Sequence, residues 1–561
     1  MIEDLWYKNA VIYSLDLETF MDSNGDGCGD FAGLIRRLDY LETLGVDAIW
    51  LAPFQPSPNR DNGYDVSDFY GVDPRHGSSG DFVEFMHVAK KKGMKVIIDL
   101  VVNHTSDQHR WFKEARKSKD SPYRDWYIWS PRRPRNADEG MVFPGVQETT
   151  WTREPRTGEY YYHRFFDFQP DLNIANPEVR KEIQRIVGFW LELGVDGFRV
   201  DAVPFIVEHL DPEQPERKPR MHFEYLEELR RFLQWRRGEA ILLGEANVLP
   251  KETANYFREG SGIHLMFNFW VNQHLFFALA SEKVGPLIKA LEATRELPET
   301  AQWAQFLRNH DELDLGRLTE KQRKETFARF GPDPHMQLYR RGIRRRLAPM
   351  IGNRSQLELA YSVMFSLPGT PVLRYGDEIG MGDDLDLDQR DAVRTPMQWD
   401  ATSGGGFSTA RRPVHPVIAE GPYSHEHLNV EQQKRDAQSL LRWTAEMIRM
   451  RKETPEIGWG QWKILDTGSP HVLAMQYQWR EESVVAVHNF AGTATEVEFS
   501  IEGLPGQPLV DLRVESESRA NRRGRHQLAL DAYGYRWFRR GAAVPRATVK
   551  RRAGRGARKH R

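Results

Sequence analysis

One alternation, repeated eight times, limits what this chain can fold into. Short runs rich in β-branched and aromatic residues recur at 10–17, 47–53, 95–104, 197–203, 240–247, 263–269, 303–311 and 370–378. Amphipathic helical stretches lie between them, most clearly at 31–45, 177–194, 357–369 and 439–455, several ending in a glycine suited to a helix C-cap. The strand runs are apolar almost throughout, which marks a parallel sheet buried on both faces. Eight such units, the last closed by the 439–455 helix, suit an α/β protein built as a closed (β/α)8 TIM barrel better than an open doubly wound sheet.

Two stretches break the alternation. Between 105 and 170 Trp, Tyr, Arg and Pro accumulate without a period, which reads as an inserted lobe (domain B) after strand three. Beyond 458 the pattern changes to alternating short strands, such as 472–479 and 483–490, and predicts a C-terminal antiparallel β-domain. The expected organisation is a barrel at 1–104 and 171–457, the lobe at 105–170, the β-domain at 458–540 and a tail at 541–561. The tail carries eight Lys or Arg and no acid, and reads as disordered and solvated.

Composition excludes several classes. With 78 basic and 80 acidic residues the net charge is −2, so no global field draws nucleic acid or an anionic membrane. No apolar run approaches the ~18 residues of a membrane span. The start, MIEDLWYKN, lacks a secretory signal, so a soluble cytoplasmic protein is expected. The one cysteine, Cys28, is incompatible with an intrachain disulfide framework or a Cys-rich zinc site. No dinucleotide, Walker or HExxH motif occurs, and no organic cofactor is expected. The sequence leaves a homo-oligomer open.

In such a barrel chemistry belongs at the C-terminal strand ends. Those ends carry Asp99 and His104 on strand three, Arg199 and Asp201 on four, Glu245 on five, and His310 with Asp311 on seven. A lone carboxylate there equally caps a helix or pairs with an arginine; three converging on one mouth point to chemistry. Glycoside transfer needs a carboxylate that attacks or stabilises and an acid that protonates the leaving oxygen, about 5–5.5 Å apart in the retaining mechanism. Asp201, on the same side of its strand as Arg199, is placed to stay ionised; Glu245 follows an apolar strand that would raise its pKa. The chain's 16 Trp and 19 Tyr supply faces for sugar stacking.

The segments DLVVNH (99–104), QPDLN (169–173), GFRVDAV (197–203), GEAN (244–247) and FLRNHD (306–311) together resemble the ordered signature regions of the α-amylase superfamily of glycoside hydrolases (family 13). The resemblance implies a nucleophile at Asp201, a general acid/base at Glu245 and a transition-state stabiliser at Asp311. Arg199, His104 and His310 would support the bound sugar. DNGYDV (61–66) and RTPMQW (394–399) resemble exo-acting branches in which Asp61 and Arg394 meet to grip the terminal glucose and Tyr64 stacks on it. Longer segments, including SPNRDNGYDV (57–66) and SLPGTPVLRYGDEIGMGDD (366–384), look most like the branch that interconverts maltose and trehalose, the trehalose synthases. LDLETF (15–20) and Gly244 depart from that branch. The implied substrate is a maltose-type disaccharide or short oligosaccharide; the alternative is an α-1,4-glucosidase that hydrolyses the same sugars. A catalytically dead binding barrel would have lost part of the trio, and all three members are present.

Asp22, Asn24, Asp26 and Asp30 alternate through DSNGDGCGD, with the Cys28 carbonyl as a further oxygen, and resemble a structural calcium loop. A metal-free Asx-rich turn is the other reading. The family resemblance suggests a second calcium between barrel and lobe, held by Asn103, Asp171, Glu208 and the carbonyls of Phe205 and Ile206.

Overall fold

The computed structural model describes residues 3–211, 214–501 and 508–541; residues 542–561 of the expected basic tail lie outside them. Eight parallel strands close into a barrel: β1 (Ile12–Leu15), β2 (Ala48–Leu51), β3 (Lys95–Leu100), β4 (Gly197–Val200), β5 (Ile241–Gly244), β6 (Leu265–Phe267), β7 (Gln302–Phe306) and β8 (Thr370–Arg374). They follow one another around the ring, with β8 pairing β1. Each falls inside, or within one residue of, a run read from the sequence.

Period-two alternation sorts the side chains. Ile12, Ala48, Trp50, Ile97, Ile241, Leu243, Leu265, Phe267, Ala304, Phe306 and Val372 fill the barrel interior, so it is a packed core and not a pore. Their neighbours, among them Ile49, Ile98, Phe198 and Leu242, face the surrounding helices and belong to the larger outer core.

The helices have local reasons to begin and end where they do. Helix α1 (Phe31–Leu44) starts at Asp30, whose carboxylate accepts from Gly33 N, and stops at Gly45, whose φ of 92° suits a residue without a Cβ. Helix α2 (Pro177–Glu192) has Asn176 as its cap and proline in its first turn. Helix α3 (Arg354–Ser366) ends before Leu367, in extended backbone, so Gly369 is not its C-cap. Helix α4 (Leu440–Lys452) is capped by Ser439. No helix among the described residues is long and apolar enough to cross a membrane.

The N-terminal segment Glu3–Asn9 plugs the bottom of the barrel. Tyr7 is fully buried in the interior cluster. Its carbonyl accepts from Thr370 Oγ1 of β8. Gln302 Nε2 of β7 donates to the Lys8 carbonyl at 3.3 Å, and Arg451 Nη1 of α4 donates to Asn9 Oδ1 at 2.6 Å.

Between β3 and α2 stands a three-stranded antiparallel sheet formed by Trp129–Ser130, Tyr160–Tyr162 and Trp151–Arg153. It has its own small core of Ile128, Ala137, Trp151, Tyr162 and Leu210. After the barrel, Val472–Trp479 and Glu482–Asn489 are the second and third strands of a six-stranded antiparallel sheet. That sheet is anchored to α3, where Ser362 Oγ lies 3.0 Å from His488 Nε2 and accepts from Trp537 Nε1 at 2.9 Å.

Candidate active site

The inward-facing series of β3, β4 and β5 does not stop at the rim. Ile97 is followed by Asp99, Gly197 by Arg199 and then Asp201, and Leu243 by Glu245. The register places Asp99, Arg199 and Leu243 side by side. Three carboxylates therefore meet one buried guanidinium. Arg199 Nη1 lies 2.6 Å from both Asp99 Oδ1 and Asp201 Oδ1, and Nη2 lies 2.7 Å from Glu245 Oε2. Asp99 is held further by Trp50 Nε1 at 2.9 Å.

Close approach of the strand ends has two local conditions. A Cβ on Gly244 would stand 2.6 Å from Ile263 Cδ1 and 3.3 Å from Val203 Cγ2, so a larger residue just before Glu245 requires the Ile263 side chain to turn away. Ala202, just after Asp201, has φ 50° and ψ 40°, a left-handed conformation that a β-branched residue adopts only with greater strain. Its N–H points to Glu245 Oε2 at 3.4 Å.

Electrostatics separates the three acids. Burial pushes Asp201 up to about 6, with Arg199 pulling the other way. Burial pushes Glu245 up to about 7, again against Arg199. Asp311 goes in the opposite direction: burial is overcome by Arg390, at 3.0 Å, and by Arg394, at 3.2 Å, which hold its carboxyl well below the usual range. At neutral pH the site thus presents a carboxylate at Asp201, a group able to be an acid at Glu245 and a fixed negative charge at Asp311.

Tyr64 and His310 form the floor. Their rings stack 5.5 Å apart at 17°, and Tyr64 Oη lies 2.8 Å from His310 Nε2. Burial lowers His310 to about 3 and His104 to about 4, so both are neutral. His104 Nε2 lies 3.1 Å from the Tyr64 carbonyl. These groups, with Asp61, Asp201, Glu245 and Asp311, line a cavity of about 720 Å³, in the range of small-molecule sites.

Several placements differ from expectation. Arg394 does not reach for Asp61. It donates Nε to the His310 carbonyl at 2.9 Å and Nη2 to Asp311, while Asp61 accepts from Gln169 Nε2 at 2.8 Å. The second calcium group also does not fit a cation. Arg164 forms an ion pair with Glu208 and lies over the Phe205 ring at 4.5 Å, and its backbone N–H donates to Asp171 at 2.9 Å. The Phe205 carbonyl accepts from Val207 N within a short helix. A guanidinium therefore already supplies the positive charge among Asn103, Asp171, Phe205, Ile206 and Glu208.

The loop at 22–30 is different. Asp22 Oδ1 accepts from Asn24 and Gly25 N, Asn24 Oδ1 from Asp26 N, and Asp26 Oδ1 from Cys28 N, a nested series of Asx turns at 2.8–3.0 Å. Asp30 spends one oxygen on the α1 cap and the other on Ser23. Asp22 Oδ2 accepts in turn from Gly27 N at 2.9 Å and from Ser408 Oγ, so a cation here would share these oxygens with the turns that hold the loop. Among the described residues no basic side chain enters this hydrogen-bonded series, and its alternating hard oxygens are of the kind calcium takes.

The structure also adds residues that sequence reading did not single out. Arg390 joins Asp311 to Glu312 Oε2, at 2.8 Å from the latter, and its guanidinium lies 4.9 Å from the Phe143 ring of the lobe. Phe143 packs on Tyr339 at 4.9 Å, and Arg341 Nη2 donates to the Val142 carbonyl at 2.9 Å. Tyr339 and Arg340 both take left-handed backbone, φ 52° and 60°, strain that aims this short hairpin at the pocket mouth. No residue pattern marks these contacts, since each joins two irregular loops.

Comparison with known proteins gives a consistent result. Residues 14–330 and 344–460 match the family described as alpha amylase, catalytic domain, and residues 482–539 match the sucrose hydrolase-like C-terminal domain. A trehalose synthase of Thermus thermophilus is 42% identical over 544 residues, 96% of this chain; the match spans 56% of that longer protein. The trehalose synthase/amylase of Mycolicibacterium smegmatis is 40% identical over 549 residues, covering 95% of this chain and 92% of the relative. Among solved structures, a trehalulose synthase variant in complex with Tris superposes with a TM-score of 0.77 at 28% identity, covering 95% of this chain and all of the other.

Proposed function

Because this chain belongs to the α-amylase family, as the match over most of its length shows, we propose that it is a trehalose synthase-type enzyme. It interconverts maltose and trehalose by intramolecular transfer through a covalent glucosyl-enzyme. The observation that carries the chemistry is the single guanidinium shared by Asp201 and Glu245. It keeps the two carboxyls as close neighbours, as a retaining mechanism requires.

Asp201 attacks the anomeric carbon of the terminal glucose while Glu245 protonates the departing glycosidic oxygen. Glu245, now a carboxylate, takes the proton from a different hydroxyl of the released glucose, which attacks the glucosyl-enzyme and restores free Asp201. Asp311 stabilises the positive charge that develops on the sugar ring. Transfer outruns hydrolysis when the released glucose stays enclosed at high effective concentration. Phe143, packed against Tyr339 and Arg390, with Arg341 holding the neighbouring Val142 carbonyl, supports that enclosure. Trp151 does not contribute directly, being 3% exposed within the lobe's own core, and Phe166 acts from behind by stacking on Phe143 at 4.9 Å.

The test is to give the protein maltose and separate the sugars over time. Trehalose is expected as the main product with minor glucose. Glucose alone would replace this reading by an exo-acting α-1,4-glucosidase. Phe143→Ala is expected to raise the glucose fraction severalfold, with total cleavage within about threefold of the parent, because it opens the mouth without touching the carboxylates.

We further propose that calcium occupies the 22–30 loop as a structural ion and that the protein works in the cytoplasm, in keeping with its one buried free thiol. An ion that binds the folded state alone stabilises it by mass action. Exhaustive chelation should therefore lower the melting temperature by about 2–4 °C or more. An unchanged melting curve together with no metal by elemental analysis would sink the proposal.

A further inference from the structure

We propose that Glu18, Cys28, His76 and the Gly29 carbonyl form a binding site for a zinc-class divalent cation behind the sugar end of the pocket. The donors come from three separate segments: the exit of β1, the loop before α1 and the turn after β2. The ligand atoms of Glu18, Cys28 and His76 lie within 4.8 Å of one another. Cys28 Sγ is 3.7 Å from His76 Nδ1 and from the Gly29 carbonyl oxygen, which itself lies 2.8 Å from His76 Nδ1.

Tetrahedral zinc with bonds of about 2.0–2.3 Å sets its ligands about 3.3–3.8 Å apart, so small side-chain rotations complete the set. Cys28 and His76 are 6% and 3% exposed, and the thiol has the Gly29 carbonyl and the His76 ring as its polar neighbours, each at 3.7 Å. Sulfur and imidazole nitrogen are ligands for a borderline-soft ion, not for calcium or magnesium. Cys28 would therefore face two metals, its carbonyl in the oxygen loop and its thiol here.

A small polar cavity gives access. It lies behind Tyr64 and is lined by Glu18 and His76 together with Asp16, Asn59 and Arg394. On binding, the thiol releases its proton to solvent and His76 takes the tautomer with its lone pair on Nδ1. The Gly29 carbonyl then turns from hydrogen-bond acceptor to ligand. Arg75, which pairs with Glu18 at 3.1 Å, keeps a second carboxylate partner in Asp73 at 3.0 Å, so the Glu18 carboxylate and the new thiolate are left to balance the charge of the ion.

Occupancy has a consequence for turnover. Glu18 Oε2 accepts from Asn59 Nδ2 at 2.9 Å and from Arg75 Nη1 at 3.1 Å. Asn59 belongs to the loop that carries Asp61 and Tyr64. A cation that takes Glu18 competes with Asn59, loosens that loop and slows the reaction.

Metal-stripped full-length protein should be titrated with cobalt(II) in the absorption spectrometer and with zinc by calorimetry. One ion per chain is expected, with a thiolate-to-cobalt charge-transfer band that zinc removes and calcium does not. Cys28→Ser should lose the band, bind zinc about tenfold or more weakly and escape zinc inhibition. His76→Gln, checked for folding by circular dichroism, should also weaken zinc binding and serves where the serine variant does not fold. Absence of the band in the parent, or zinc affinity unchanged in either folded variant, overturns the site.

Discussion

Asp201→Asn is expected to lower kcat on maltose by about four to six orders of magnitude while the protein stays folded. The amide keeps the shape of the carboxyl and can still accept from Arg199, which donates to Asp201 Oδ1 at 2.6 Å. What it cannot do is form the ester to the sugar. Glu245→Gln should be nearly as severe on maltose, yet it should recover much of the first step on an aryl glucoside, whose leaving group needs no proton. The parent's pH dependence follows from the same pair. Asp201, near 6, must be ionised, and Glu245, near 7, must be protonated, so the rate falls below the first value and above the second. The two limbs belong to the coupled pair and not to either residue alone. Steady-state rates of purified variants with matching circular dichroism spectra decide the matter. Activity within about tenfold of the parent for Asp201→Asn would remove it from the nucleophile's role.

Arg199→Met is expected to cost about 3–5 kcal/mol of stability at neutral pH, read from urea unfolding. The replacement has similar volume, so the loss does not come from a cavity. It comes from Asp99, Asp201 and Glu245, which the substitution leaves buried around a vanished positive charge. The sign of the pH effect follows. Without the guanidinium the folded-state pKa values of these acids rise further above their unfolded values. Such acids favour folding when protonated, and that advantage is lost as pH rises from the unfolded pKa toward the folded one. The deficit should therefore shrink at about pH 5. A deficit under about 1 kcal/mol, or one that grows on acidification, would show that the cluster does not depend on its arginine.

The barrel and its charged rim were legible because they follow one rule. Alternation places Ile97 and Asp99, Arg199 and Asp201, or Leu243 and Glu245 on one side, whether the residue is apolar or charged. Strand ends were less legible: apart from Asp99 the run at 96–102 is apolar, yet β3 stops at Leu100, where the chain turns toward the lobe. Contacts between irregular loops left no trace at all. Arg390 lies in a short 3-10 segment and Phe143 in a loop, so neither has a period from which its place above Asp311 could be read. The second calcium reading failed for a related reason. Arg164 is ordinary by type, and only its fold into the space beside Glu208 makes it the resident cation.

The plug at the barrel's floor bears on how the chain is made. Tyr7, Lys8 and Asn9 are synthesised long before their hydrogen-bond partners Gln302, Thr370 and Arg451. Until those partners exist the segment at 3–9 has nothing to dock on, and β1 lacks its neighbour β8. Closure of the ring is thus deferred until β8, at Thr370–Arg374, has been made, and the half-built sheet meanwhile exposes two open edges. Those edges are templates for aggregation until β8 docks, so the fold itself requires that they be shielded while the chain is being made.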